Sequence, residues 1–266
     1  MDLDEDQRTA FQDKGYLVIP GLVGGDALAE LDRMANLLLD GELSPQLPYR
    51  DHVPDRFYTF WEPGMEGRSD LPRRERIRLM ANMCHHPLFF RAMVRHPAIY
   101  RVLAGLYGEG VRVFSDTIFM KPAHHGIEAA MHQDTAFWPK IEPNAINFWM
   151  AIDPATVENG CLHIIPGSHE KDLCHRDDPV QGHVLHDDQV DKSRQIPLEM
   201  ESGDAIFFDS GLVHRSYANR SSRNRRSYAV VYGSGTMRHV EPWRIETLAE
   251  ASPSYEFEMI EPDSAS

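Results

Sequence analysis

From Val111 onward the chain falls into short β-prone runs, VRVFSDTIFMKP, AINFWMAID, CLHIIPGS, IPLEM, DAIFFDS, LVHRSYAN and RSYAVVYG, separated by turn residues. Short strands in such succession point to an all-β sandwich or barrel. The preceding residues read as helical. DEDQRTAFQDKG stops on Gly15, and YLVIPGLV is a short strand turning at Pro20 and Gly21. Asp26 can N-cap a second helix in which Leu28, Leu31, Ala35 and Leu38 recur at helical spacing, with Gly41 closing it. Helices resume through RRERIRLMANM and HPLFFRAMVRHPAIYRVLAGLYG, where Gly108 is the stop. The expected fold class is mainly β with helices, in one domain spanning 1–266: a helical N-terminal part (1–108), a β core (109–240) and a C-terminal tail (241–266).

Two segments break the pattern. Residues 43–72 are rich in Pro, Gly and aromatics and too long for a simple connection, so they form a disordered stretch or a functional cover, and the aromatics favour the cover. Tyr49, His52, Arg56, Phe57, Tyr58 and Trp61 are its candidate substrate contacts. HEKDLCHRDDPVQGHVLHDDQVDKS carries His169, His175, His183 and His186, but their spacing is irregular and the segment reads as a hydrated loop.

A net charge of −14 argues against nucleic-acid binding, which needs clustered Lys and Arg. The three cysteines are odd in number and lack metal-ligand spacing, so free thiols in a reducing compartment are expected. The acidic start MDLDEDQRTA is no secretory or transit peptide, and no apolar run approaches the roughly 20 residues that span a bilayer. These features predict a cytoplasmic protein, a monomer or weak homo-oligomer, with a small-molecule substrate and neither nucleic-acid nor membrane partners.

The chemistry concentrates in MHQDTAFWP. Side chains at i and i+2 of a strand share a face, so His132 and Asp134 project together with Gln133 opposite. An imidazole and a carboxylate suit a divalent first-row metal, and the best third ligand is His214, at the end of the strand-like run in GDAIFFDSGLVHRS. Two histidines and a carboxylate on one side of a metal form the ligand set of non-haem Fe(II) oxygenases, whereas zinc favours a closed site or three ligands plus water. A surface pair and a core histidine are the rival reading. Arg225 follows in RSSRNRRSYAVVYG, and a hairpin turn through ANRSSRN would make it a neighbour of His214 on the adjacent strand. There a guanidinium could anchor the free end of a dicarboxylate that chelates the metal, with Ser216 helping from the same face. Arg226 alternates to the opposite face and is expected to be a surface charge.

Four stretches, FMKPAHHGIEAAMHQDTAFWP, NFWMAIDPATVENGCLHIIPGSH, GDAIFFDSGLVHRS and NRRSYAVVY, resemble the phytanoyl-CoA dioxygenase-like family of Fe(II)/2-oxoglutarate-dependent oxygenases. The resemblance runs from FQDKGYLVIPGLV to RRSYAVVYG. It implies a double-stranded β-helix (jelly-roll) core braced by N-terminal helices. It also implies Fe(2+) held by His132, Asp134 and His214, and 2-oxoglutarate gripped by Arg225 with help from Ser216. Trp149 falls on a family tryptophan bordering the co-substrate, and Thr117 on a strand position that touches it; packing roles are the alternatives. Arg78 matches a basic residue near 2-oxoglutarate, although its own surroundings in RRERIRLMANM predict a helix-surface charge. The implied reaction uses O2, releases succinate and CO2, and hydroxylates a small metabolite or acyl substrate. Halogenating relatives lack the carboxylate that this chain keeps as Asp134. The alternatives are a non-oxidative zinc or manganese lyase or isomerase on the same barrel, and a metal- or 2-oxoglutarate-binding sensor.

Overall fold

Asp4 opens the first helix by a capping box, accepting from the Gln7 amide while the Gln7 side chain accepts from its own, and Gly15, at φ 79°, ends it. The computed structural model describes residues 3–43, 58–85, 88–108, 110–138, 141–186, 188–239 and 258–260. Its N-terminal elements are α1 (Glu5–Lys14), β1 (Tyr16–Ile19), α2 (Gly25–Asp40), β2 (Tyr58–Trp61), β3 (Ile77–Ala81), α3 (Leu88–Met93) and α4 (Pro97–Tyr107). Then come β4 (Val111–Lys121), β5 (Ala129–His132), β6 (Ile141–Glu142), β7 (Ile146–Ala151) and β8 (Leu162–Ile164). β9 (His175–Asp178), β10 (Gly182–Leu185), β11 (Ile196–Leu198), β12 (Ala205–Asp209) and β13 (His214–Ser216) follow. β14 (Arg225–Ser234), β15 (Arg238–His239) and β16 (Glu258–Ile260) complete the order.

Two antiparallel sheets face each other. The large one runs β1-β12-β7-β14-β4-β3-β2, with β16 also paired to β4, and the small one runs β11-β8-β13-β5. This is the expected jelly roll. Strand alternation divides the large sheet's side chains between two cores. Phe148, Met150, Ile118, Met120, Tyr228 and Val230 pack toward Leu31, Leu38, Ile99 and Leu103 of the helices. Trp149, Ala151, Ile206 and Phe208 pack inward with Leu162 and Ile164 of the small sheet. Six consecutive buried residues in β7 serve both cores at once. At roughly 25 cal/mol per Å2 of apolar surface, these two layers are the main stabilising term of the barrel. No described helix is long and apolar enough to cross a membrane.

The structure corrects several expectations. RRERIRLMANM is not a helix: Ile77–Ala81 forms β3, joined to β2 and β4 by Leu79↔Phe60 and Leu79↔Phe119. Good helix formers yield there because Ile77 and Met80 complete the helix-side core. The N-terminal part thus supplies β1, β2 and β3 to the large sheet as well as its helices. The histidine-rich loop is in part a hairpin, β9 paired to β10 from His175↔Leu185 to Asp178↔Gly182. Helix α2 is N-capped by Gly24, and Asp26 lies in its first turn, where a carboxylate favours the helix dipole. Of the proposed cover, Tyr49, His52, Arg56 and Phe57 lie outside the described residues. Trp61 packs against the helix-side core, with the Arg76 guanidinium 5.1 Å from its ring. Arg226 is no free surface charge: it ion-pairs Asp153 and Asp32 and donates to Asn36, tying α2 to the barrel.

Candidate metal centre

β5 ends at His132, Gln133 continues extended (φ −110°, ψ 138°), and Asp134 opens a short 3-10 turn, Asp134–Ala136. The extended Gln133 preserves the i, i+2 relation past the end of the strand. Its own side chain points away and is buried, donating to the Lys171 and Gly211 carbonyls and accepting from the Leu173 amide. On the neighbouring β13, His214 stands opposite His132. Their rings lie 4.3 Å apart. Nε2 of His132 is 3.2 Å, and Nε2 of His214 3.7 Å, from the same Asp134 oxygen, Oδ1. One ligand atom from each of the three lies within 4.8 Å of the others, the sole such group found among the described residues.

Hydrogen bonds set the tautomers. Nδ1 of His132 donates to Ala130 O at 2.6 Å, and Nδ1 of His214 donates to Leu212 O at 2.9 Å. Each Nε2 therefore keeps its lone pair for the shared point. Asp134 Oδ2 accepts from Asn147 Nδ2 at 2.6 Å, which aims Oδ1 at the histidines. Phe137 packs against His132 and Phe208 against His214, shielding the imidazoles from water. Burial pushes His214 down to about 4, leaving it neutral. Burial also opposes protonation of His132, but the Asp134 hydrogen bond and charge outweigh it and raise that group. Burial works against an ionised Asp134 too, yet the histidines hold it low. Two imidazole nitrogens and one anionic oxygen around one point, with their outward groups hydrogen-bonded, fit a divalent iron.

Arg225 enters the same interior from the opposite sheet. The hairpin expected between His214 and Arg225 does not form. β13 pairs with β5 and β8 whereas β14 pairs with β4 and β7, and the chain crosses between sheets through 217–224. Asn219 holds that crossing by donating to Lys121 O and Arg223 O. The two residues therefore approach the inter-sheet interior from opposite sheets instead of along one sheet. Arg225 is buried, donating to Ser227 Oγ at 3.0 Å and Gly160 O at 3.3 Å, while its Nε has no partner. No carboxylate among the described residues lies within ion-pair distance of it. Burial pushes it down to about 10.

The remaining predicted residues gather nearby to differing degrees. The Trp149 ring centroid is 5.6 Å from the Arg225 guanidinium carbon. Thr117 opposes Ala229, which in turn opposes Trp149, so all three share the inward face. Ser216 is buried and pairs with Leu162 of the inter-sheet core, on the face of His214. Arg78 corrects the helix-surface expectation. A register shift between Phe60 and Trp61 in the β2–β3 ladder lies beside it, and such shifts re-aim side chains. It donates to Val180 O at 3.2 Å and Gln181 Oε1 at 3.1 Å, and its charge acts on His132. Asn147 and Ser227 escaped the sequence reading, although each lies two residues from a predicted residue on its own strand, Trp149 and Arg225.

A family model described as phytanoyl-CoA dioxygenase (PhyH) matches residues 11–227. A phytanoyl-CoA dioxygenase of Arabidopsis thaliana is 28% identical over 251 residues, covering 86% of this chain and 88% of that one. Among solved structures, EctD from S. alaskensis with 2-oxoglutarate and 5-hydroxyectoine superposes with a TM-score of 0.68 at 21% identity, covering 92% and 80% of the two chains. The epimerase SnoN in complex with Fe3+, alpha ketoglutarate and nogalamycin RO gives a TM-score of 0.65 at 21% identity, covering 88% and 85%. Likeness at these identities establishes the fold.

Proposed function

Because the chain belongs to the phytanoyl-CoA dioxygenase family, we propose that it is an Fe(II)- and 2-oxoglutarate-dependent dioxygenase hydroxylating a small metabolite or acyl substrate. The observation that carries this reading is Arg225, a guanidinium buried beside Trp149 on the inward side of the large sheet, with no ion-pair partner among the described residues. A buried cation is costly until an anion meets it, and a dicarboxylate can meet it while its other end reaches the metal. A zinc or manganese lyase or isomerase that takes no 2-oxoglutarate would leave this cation without its anion.

When bound, iron and 2-oxoglutarate supply the oxidising chemistry, with O2 as oxidant and succinate and CO2 as products. The protein's part is placement. His132, Asp134 and His214 would hold the iron, and Asn147 keeps the Asp134 carboxylate turned toward the histidines. Arg225 orients the far carboxylate, and its permanent charge suits it to hold an anion and not to move protons. Trp149 walls that end, with Ser216 and Thr117 on the inward faces beside it, and Arg78 contributes positive charge on the His132 side. Retention of Asp134 leaves no ligand gap for halide, which favours hydroxylation. EctD and SnoN are described with 2-oxoglutarate and alpha ketoglutarate respectively, which supports the co-substrate assignment. Three free cysteines fit a reducing compartment such as the cytoplasm. We assign the protein there as a monomer or weak homo-oligomer, without nucleic-acid or membrane partners.

The test is turnover. Protein supplied with Fe(II), 2-oxoglutarate, O2 and a metabolite panel should release succinate, and Asp134→Ala should abolish release. Tightly held zinc or manganese with 2-oxoglutarate left unconsumed would overturn the proposal.

A further inference from the structure

Lys121 closes β4 and is buried on the inward side of the large sheet, directly opposite Arg225. Two cations so placed repel, so the lysine needs a reason to be there. Its amine donates to Ile127 O at 2.6 Å and to Tyr217 O at 2.8 Å. Ile127 lies just ahead of β5, which delivers His132, and Tyr217 directly follows β13, which delivers His214. One side chain therefore joins the leading end of one ligand strand to the trailing end of the other.

Those strands need the help. The β5–β13 ladder consists of His214↔His132 and Ser216↔Ala129 with a register shift between them. So short and irregular a ladder specifies its register weakly. Other groups hold the same junction. The Ile127 amide donates to buried Glu62 at 3.4 Å, so the residue is held at both its N–H and its carbonyl. Gly126 packs so closely that a Cβ there would lie 2.9 Å from the Lys121 backbone. Asn219 donates its amide to Gly126 O and its side-chain nitrogen to Lys121 O, each at 2.9 Å. Burial, reinforced by Arg225, pushes the Lys121 amine down to about 6. A neutral amine still has two N–H bonds, matching its two carbonyl acceptors, and it no longer repels Arg225.

We propose that Lys121 is a positioning residue for the metal centre: by holding Ile127 O and Tyr217 O it fixes β5 against β13 and so sets the spacing of His132 and His214. The inference rests on the reading that His132, Asp134 and His214 bind a metal. Its test is titration of the metal-free full-length protein with Co(II), whose d–d absorption reports both affinity and ligand geometry.

Lys121→Met should bind Co(II) about tenfold more weakly, the scale seen when groups supporting a metal's ligands are removed, and should alter the d–d intensity. Lys121→Arg, which keeps donors, should recover part of the affinity. A folded Lys121→Met whose Co(II) affinity and spectrum match the wild type overturns the inference, whatever its melting temperature. A variant that loses 2-oxoglutarate affinity while binding Co(II) normally also overturns it, because Lys121 would then be an anion partner. If Lys121→Met does not fold, Glu62→Ala decides: it frees the Ile127 amide and removes the carboxylate whose charge acts on Lys121, so weakened Co(II) binding supports the inference and unchanged binding overturns it. Wild-type protein that takes up no Co(II) overturns the parent reading, whereas wild-type uptake with unaltered variants overturns this inference alone.

Discussion

Arg225→Met separates the two roles of a buried cation, because it should move stability and affinity in opposite directions. Burial holds Arg225 down at about 10, and a depression of that size corresponds to roughly 3 kcal/mol spent keeping the charge inside the ligand-free protein. The sign follows from the group being a base. Its folded value is lowered, so below about pH 10 the folded state carries the cost, and neutral pH lies well inside that range. Methionine fills similar volume without the charge, but it leaves Ser227 Oγ and Gly160 O without their donor, which returns about 1–3 kcal/mol of the gain. The ligand-free variant should therefore melt at or up to a few degrees above the wild type.

Co-substrate binding should behave oppositely. Two charge-assisted hydrogen bonds at about 1.5–3 kcal/mol each amount to about 3–6 kcal/mol, or ~10^2–10^4-fold in affinity. The assay is anaerobic calorimetry of 2-oxoglutarate binding in the presence of Mn(II), with thermal melting of the ligand-free protein alongside. A variant that binds 2-oxoglutarate like the wild type, or one that loses many degrees without ligand, would refute the reasoning.

Asn147→Leu removes the donor that aims Asp134, and metal affinity should fall about 10–100-fold in a chelator competition. Asp116 is buried, accepting from the Cys84 amide and the Tyr228 hydroxyl, and burial pushes it up to about 6. Its contribution to stability is therefore full below about pH 4 and is lost as pH rises through about 6. Relative to the wild type, Asp116→Asn should gain about 3 kcal/mol between about pH 4 and 7 in urea unfolding, and a constant difference would contradict the assignment.

The convergence of the three candidate ligands was legible because their relations are local or strand-based. His132 and Asp134 needed only an extended Gln133 between them, and His214 marked the end of an apolar run. The distant relations were harder. Arg78 sits in a stretch whose helix formers hide a strand, and a register shift in the neighbouring ladder, set by tertiary pairing, accompanies its turn toward the site. The step from β13 to β14 crosses between sheets, which eight turn-rich residues resemble a hairpin in doing. Asn147, Ser227 and Lys121 are polar residues inside strands, and their partners lie 13, 2 and up to 96 positions away, so strand alternation gives their face but not their bonds. Arg226 was assigned to the correct face, but its acids come from α2 and the segment after β7.

The central claim is that three side chains and one guanidinium prepare a single cavity for iron and a keto dicarboxylate together. Its most direct test is an anaerobic titration of the metal-free protein with Fe(II) and then 2-oxoglutarate, followed by visible absorption. The account predicts a metal-to-ligand charge-transfer band that saturates at one iron per chain, is absent in His214→Ala, and needs far more 2-oxoglutarate in Arg225→Met. Bound iron with no band on adding 2-oxoglutarate, or a band undiminished in His214→Ala, would contradict it.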